Sequence, residues 1–304
     1  MKEPKFYIII VTYNGLKWID KCLHSCGDFP VVVVDNNSSD NTIDFIKNNY
    51  SDVHLLEQNR NLGFGQANNI GIEYAINHGA DYVFLLNQDA YLIEDCLEKL
   101  IKISKDKFEY GILSPFHYKK SFTGLDANFS MFMSRYNISR DYIFDANESK
   151  IKDIYSIPFV NAAGWLIPKR TLKKVGYFDS LFFHYGEDRN YCQRVLYHNM
   201  KIGIVPKAKM IHDREFREVK PVLKYSDDYY EEYIRYAKVE WADINLKNFD
   251  SKFSLQLKQI RLSYFKLLFK LKFRKAKENF SKYRILKGLY TSLKNSRNRN
   301  SIKI

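Results

Sequence analysis

Four short apolar runs, each closing on Asn or Asp and separated by helical patterns, fill residues 6–89 and leave few folds open. They are "FYIIIVTYN" (6–14), "PVVVVD" (30–35), "VHLLEQN" (53–59) and "DYVFLLNQD" (81–89). Between the first two, "GLKWIDKCLHSC" (15–26) sets Leu16, Ile19, Cys22 and Leu23 on one helical face. "SDNTIDFIKNNY" supplies caps and a second helix, and "GFGQANNIGIEYAINHG" (63–79) a third, closed by Gly79. Runs that are apolar at successive positions, not alternate ones, belong to strands covered on both faces. The expectation is an α/β chain with a Rossmann-like, mainly parallel central sheet and helices on both sides. Ligands of such sheets bind beyond the carboxyl ends of the strands, where Asn14, Asp35, Asn59 and Asp89 would converge.

Beyond residue 110 the alternation lapses. "YGILSPFHY" (110–118) and residues 153–179 read as strands and turns of a mixed half. "GEDRNYCQRVLYHNM" (186–200) reads as a helix with Cys192, Val195 and Leu196 inward, and "KIGIVPKAKMIHD" as a strand ending at His212. Residues 222–249 and 253–293 read as helical. The division expected is a domain over 1–220, in halves 1–110 and 111–220, and a helical, basic extension over 221–304. With 45% hydrophobic residues the 304-residue chain has material for a real core. No run approaches the roughly 18 apolar residues of a membrane span, and the N-terminus reads as a first strand, not a leader. Cys22, Cys26, Cys96 and Cys192 lack zinc-site spacing, so free thiols in a reducing cytoplasm are expected.

Charge is unevenly placed. Residues 251–304 hold 16 Lys/Arg and one acid, Glu278, so their net +15 exceeds the +13 of the whole chain. A near-neutral body with an appended device for anionic surfaces is implied. In the extension Phe253, Leu257, Ile260, Tyr264, Leu267 and Leu271 recur at helical spacing, and Leu262, Phe265 and Phe269 form a second stripe. One stripe would pack on the domain or on a second copy in a homodimer, and the other would meet an anionic membrane surface. No base-reading module accompanies the basic run, so nucleic acid is not an expected partner.

At the end of the fourth run, Asn87 and Asp89 lie on one side of the chain if the strand continues. A carboxylate beside an amide oxygen suits a hard divalent cation, Mg²⁺ or Mn²⁺, shared with phosphates. Asp89 in isolation would serve equally as a helix cap. Five blocks argue otherwise: "IIIVTYNGLKWIDKCLHS", "VVVVDNNSSDNT", "NRNLGFGQANNIGI", "VFLLNQDA" and "HYGEDRNYCQR". In order and spacing they resemble inverting glycosyltransferase family 2, most closely its rhamnosyltransferase-type members of bacterial surface-polysaccharide synthesis.

The resemblance spans about residues 5–215 and implies a GT-A fold, a nucleotide-sugar donor (dTDP- or UDP-linked), a divalent metal and single displacement at the anomeric carbon. It places Thr12, Tyr13 and Asn14 at the nucleobase, and Asp35, with Asn37 beside it, at the base or ribose. Arg60, Asn61 and Gly63 would pass the nucleotide, and Asn68 would lie near the sugar and diphosphate. Asn87 and Gln88 flank the metal-binding Asp89, and Asn87 stands where the family has a first aspartate. His212 is the matching second metal candidate. Asp188 would be the general base, with Glu187 orienting it or binding acceptor; the two roles are interchangeable on sequence. Trp165, in "NAAGWLIP", would stack on the acceptor, a growing, lipid-linked glycan, or, as an aromatic in an apolar run, belong equally to the core. The enzyme would then work at the cytoplasmic, inner face of the cell membrane. A catalytically weak sugar-nucleotide-binding subunit and a nucleotidyltransferase are the competing classes; the second lacks its Gly-rich basic loop in "VTYNGLKW".

Overall fold

The apolar runs form strands β1 (Phe6–Thr12), β2 (Val31–Asp35), β3 (His54–Glu57) and β4 (Tyr82–Asn87), joined by helices α1 (Leu16–His24), α2 (Thr42–Asn49) and α3 (Phe64–Asn77). The structure is a computed structural model and describes residues 4–214 and 221–302. Strand β5 (Ala90–Leu92), helix α4 (Cys96–Asp106) and strand β6 (Tyr110–Tyr118) follow. The mixed half continues with α5 (Ala127–Arg135), α6 (Ile138–Asn147), β7 (Tyr155–Ser156), β8 (Gly164–Pro168) and α7 (Lys169–Val175). It closes with α8 (Glu187–Tyr197) and β9 (Lys201–His212). Helices α9 (Asp227–Trp241), α10 (Phe249–Phe269) and α11 (Phe273–Asn300) form the extension.

The strands lie in the order β3-β2-β1-β4-β8-β6-β9-β5, with β7 on β9. β1 pairs in parallel with β2 on one side and β4 on the other, whereas β8 is antiparallel to both β4 and β6. The chain thus leaves β1 toward one edge and returns to its other side at β4. That switch of direction opens a crevice beyond Thr12. Register keeps the floor level, since Thr12 lies opposite Asp35 and Val11 opposite Asn87.

Alternate side chains of the same strands build two cores. Ile9, Val83, Leu85, Trp165 and Ile167 join one cluster, while Ile8, Ile10, Phe84, Leu86 and Leu166 join the other. Trp165 is wholly buried and its ring stacks on Phe178 at 6.3 Å. The acceptor assignment for Trp165 is therefore corrected: its indole is core, facing away from solvent. Other expectations also change. β5 intervenes before α4, whose N-cap is Asp95, so Asp89 caps no helix. Helices α5 and α6 occupy the unassigned stretch between 118 and 153, and 153–179 includes α7. Leu16 and Leu196 face solvent. The boundary at 220 falls at the edge of 215–220, which lie outside the described residues.

The extension is built onto the domain. Phe182 joins Trp241, Phe249, Phe253, Leu286 and Leu293 in one apolar cluster, with Trp241 edge-on to Phe253 at 5.0 Å. Its far end is fixed by polar groups. Buried Asp179 accepts from Ser296 Oγ at 2.6 Å, from Arg299 Nη2 at 2.7 Å and from Asn300. Buried Arg194 donates to the carbonyls of Val175 and Tyr177 and to Asn300 Oδ1 at 2.6 Å, so it clamps α7, α8 and α11 and does not reach a phosphate. Phe253→Ala should cost about 3–5 kcal/mol, as for other fully buried aromatic truncations. Urea unfolding measures it; a loss below about 1 kcal/mol would mean that the extension does not stabilise the domain.

Candidate active site

The ends of β1 and β4, the turn after β2 and segments 61–64, 161–163 and 184–188 wall a cleft of about 460 Å³. Tyr13, Asn61, Gly63, Asn87, Gln88, Asp89, Glu187 and Asp188 line it, as do Asn36, Asn161, Tyr185 and Arg214. Local hydrogen bonds hold the floor. Gln88 Oε1 accepts from Thr12 Oγ1 at 2.7 Å and from the Tyr13 amide at 2.9 Å, which staples the first loop to the end of β4. Asn61 Oδ1 accepts from Asn36 Nδ2 and the Gly63 amide, both at 2.8 Å. Asn14 Oδ1 accepts from the Ser39 amide at 2.8 Å. Asp35 is fully buried and accepts from Ser38, at 2.8 Å from its amide and 2.5 Å from its hydroxyl. Asp35 is thus committed to an Asx turn in this structure.

Several expected ligands lie off the cleft wall. Thr12 is buried behind Gln88, and Asn68 is buried in α3 with its Nδ2 on the Phe64 carbonyl at 2.9 Å. Asn37 and Arg60 are exposed outside the lining, Asn37 at a φ of 69°. Asn36, Asn161 and Arg214 were not expected. Arg214 directly follows the strand that ends in His212, so its position was legible; Asn161 had no signal in an apolar run.

At the end of β4, Asp89 is buried and His212 Nε2 stands 3.4 Å from its Oδ1. His212 is itself buried and lies outside the cleft lining. Asn87 Oδ1 is buried with no hydrogen-bond partner among the described residues, although Asn87 lines the cleft. Among the described residues no three His, Cys, Asp or Glu side chains are grouped to hold a metal by themselves. A hard cation still fits. It would rest on Asp89 and the orphaned Asn87 oxygen, and draw its other ligands from phosphate and water.

The opposing feature is the start of α8. Gly186 (φ 95°) turns the chain into the helix, so Glu187 and Asp188 occupy its first turn and both line the cleft. Gly63 (φ 77°) makes room for this segment, because a Cβ there would sit 1.7 Å from the Phe183 carbonyl oxygen. Glu187 is only 6% exposed, and its Oε2 has no hydrogen-bond partner among the described residues. Burial, reinforced by the neighbouring Asp188 charge, pushes its carboxyl well above the ordinary range. Burial also raises Asp188, but less freely, since its Oδ1 accepts from the Arg189 amide at 2.7 Å and the Arg189 charge lies close. Burial thus raises both carboxyls, that of Glu187 up to about 8.

A mixed sheet whose parallel half opens at its switch point, with a carboxylate at a strand end and a carboxyl pair at a helix start in one cleft, is the architecture of an α/β enzyme. The chain belongs to glycosyl transferase family 2, whose sequence model matches residues 7–176. It is 26% identical over 210 residues to the low-salt glycan biosynthesis hexosyltransferase Agl10 of Haloferax volcanii, covering 68% of this chain and 66% of that one. It is 26% identical over 218 residues to the dTDP-rhamnosyl transferase RfbF of Shigella flexneri, covering 69% of each. The match therefore spans about two thirds of these relatives' length. The mannosyltransferase PcManGT of Pyrobaculum calidifontis, solved with GDP-Man and Mn²⁺, shares the fold at 19% identity and a TM-score of 0.54, over 81% of this chain and 64% of that one. The fold is GT-A.

The raised Glu187 carboxyl has a pH signature. A group whose folded pKa exceeds its unfolded value favours the fold at low pH and loses that contribution as pH rises toward the folded value. Glu187→Gln removes this dependence, so the variant should gain on wild type as pH climbs from about 5 to 8, by on the order of 1–3 kcal/mol. Thermal unfolding of both proteins across that range is the measurement. A difference that stays flat would mean that Glu187 is not held neutral.

Proposed function

We propose that the chain is an inverting glycosyltransferase that moves a sugar from a nucleoside diphosphate donor to a hydroxyl of a cell-surface glycan. The observation that carries this is the Glu187–Asp188 pair in the first turn of α8, lining the same cleft as Asp89 and Asn87. Tyr13, Asn36 and Asn61 offer the nucleotide a ring and amides at the ends of β1 and β2. When bound at Asp89 and Asn87, a divalent cation, Mg²⁺ or Mn²⁺, would neutralise charge developing on the leaving diphosphate. Arg214, at the cleft wall, adds a fixed positive charge for the same oxygens.

Asp188 takes the proton of the acceptor hydroxyl as its oxygen attacks the anomeric carbon. The bond from that carbon to the diphosphate oxygen breaks, and attack from the opposite face inverts the centre. Neutral Glu187 does not compete for the proton and can donate a hydrogen bond to an acceptor oxygen. Similarity to the Shigella dTDP-rhamnosyl transferase supports dTDP-rhamnose as donor, with UDP-hexoses next. The acceptor reading, a lipid-linked glycan, rests on the glycan-assembly relatives.

Asp188→Asn should keep nucleoside diphosphate affinity and lose roughly 10²–10⁴-fold in turnover, because the amide preserves shape but accepts no proton. Glu187→Gln should lose far less. The measurement is nucleoside diphosphate release from a panel of dTDP- and UDP-sugars with saturating acceptor, beside calorimetric affinities. Near-normal turnover in Asp188→Asn with a dead Glu187→Gln reverses the assignment; full activity in both removes the mechanism. Asp89→Ala should lose roughly 10²-fold or more at any Mn²⁺ concentration, while folding normally. Restoration by added metal would show that Asp89 is dispensable.

A further inference from the structure

We propose that the free end of the α10–α11 hairpin is a lipid-docking surface that seats the enzyme on an anionic bilayer. The root of the hairpin packs on the domain through Phe253, Leu286 and Leu293, whereas its far end is exposed among the described residues. There Phe269 is 87% exposed, Leu271 73% and Phe273 62%, and Leu262 and Phe265 continue the patch down α10. Leu262, Phe265 and Phe269 fall on one side of the helix, three and four residues apart.

The turn itself is informative. Amides of Leu271 and Lys272 close α10 on the carbonyls of Leu268 and Leu267, with Leu271 left-handed at φ 53°. That is a Schellman close, a position where glycine is the favoured residue. A leucine held there, 73% exposed among the described residues, presents most of its side chain outward.

Basic groups interleave with the apolar ones. Lys266, Lys270, Lys272, Arg274, Lys275 and Lys277 are all exposed, and residues 262–277 contain no acid. The nearest acid, Glu278, is engaged by Lys224 at 3.4 Å and Lys282 at 2.6 Å. The Lys224 contact also brings Val222 and Leu223, both exposed, to this end of the molecule. A bilayer surface accepts both sets at once, acyl boundary for the rings and phosphate headgroups for the ammonium and guanidinium groups. No described helix is long and apolar enough to cross a membrane, so the patch lies on the surface and does not span it.

The placement suits the cleft. Helix α9 runs along α11 from Trp241, whose carbonyl accepts from Arg297, to Tyr229, whose hydroxyl meets Glu278. Between these ends Arg235 lies over the ring of Tyr185 at the cleft wall, 5.2 Å from its centroid. Going from root to tip, the extension passes the cleft rim before reaching the exposed apolar end, so a seated tip brings the acceptor side toward lipid.

The test uses the full chain and vesicles of phosphatidylglycerol with phosphatidylcholine, against phosphatidylcholine alone. Wild type should sediment with the anionic vesicles and release as salt rises. The variant Phe269→Ser/Leu271→Ser/Phe273→Ser should partition at least about tenfold less, with unchanged thermal midpoint and nucleoside diphosphate affinity. Leu271→Trp should show a blue-shifted emission on anionic vesicles and quenching by brominated lipid. Unchanged partitioning of the triple variant, or Trp emission indifferent to vesicles, overturns the proposal. So does a wild-type dimer that the triple substitution makes monomeric without altering vesicle binding, since the patch would then be an interface between two copies. Loss of vesicle binding with intact sugar transfer to a soluble acceptor separates this surface from the active site.

Discussion

Glu187 brings a carboxyl group into the cleft wall with one oxygen lacking any hydrogen-bond partner among the described residues, and its surroundings are shaped to hold it there. An ionised carboxylate in that position would be far more costly than a neutral one, so the group keeps its proton. The neighbouring segment then has to be held firmly, because relaxation toward water would relieve the penalty. Gly63 and Gly65 let α3 and its entry loop lie directly on Phe183, Phe178 and Glu187. From the other side Phe182 is sealed by Trp241, Phe253 and Leu293 of the extension. The extension therefore braces the cleft wall that holds Glu187. Asp188, beside it, lines the same cleft, and its Oδ1 is anchored on the Arg189 amide.

What the sequence disclosed followed from strong local signals. The strands β1, β2 and β4 were readable because residues such as Ile8–Ile10, Val32–Val34 and Val83–Leu85 are buried on both faces, which leaves an unbroken apolar run; β3, at the sheet edge, is only partly buried. Gly186 and the two acids after it marked the start of α8, and the order of the strands then placed Asp89 and Asp188 in one cleft. Three kinds of feature were not readable. Trp165 had the composition of either a core or a sugar platform, and only the pairing of β8 with β4 turns it inward. Helices α5 and α6 have Asn137 at a left-handed junction and no clean apolar period to announce them. The commitment of Asp35 to Ser38 is a turn choice that competes with ligand binding using the same residues.

The excess positive charge of the last 54 residues was plain in the sequence, but its division into two uses was not. At the root, basic residues are consumed by structure: Lys294 pairs with Asp250 at 3.2 Å, Arg299 with Asp179 at 2.7 Å, and Arg297 donates to the carbonyls of Trp241, Asp243 and Leu246. Their partners are Asp179 of the domain, Asp250 in the first turn of α10, and carbonyls at and just beyond the end of α9. A cation serving a buried carboxylate or a row of carbonyls gains from low dielectric and cannot be given up without leaving its partner stranded. At the tip six exposed basic groups stand among exposed Phe and Leu side chains, and residues 262–277 themselves contain no acid. The same residue types thus act as mortar at one end and as a surface at the other. Removing the whole extension would confound the two, since it would strip Phe182 and Asp179 of their cover together with the tip. Substitutions confined to 262–277 address the surface, because there the exposed Phe, Leu and basic side chains lie away from the apolar cluster that joins extension and domain.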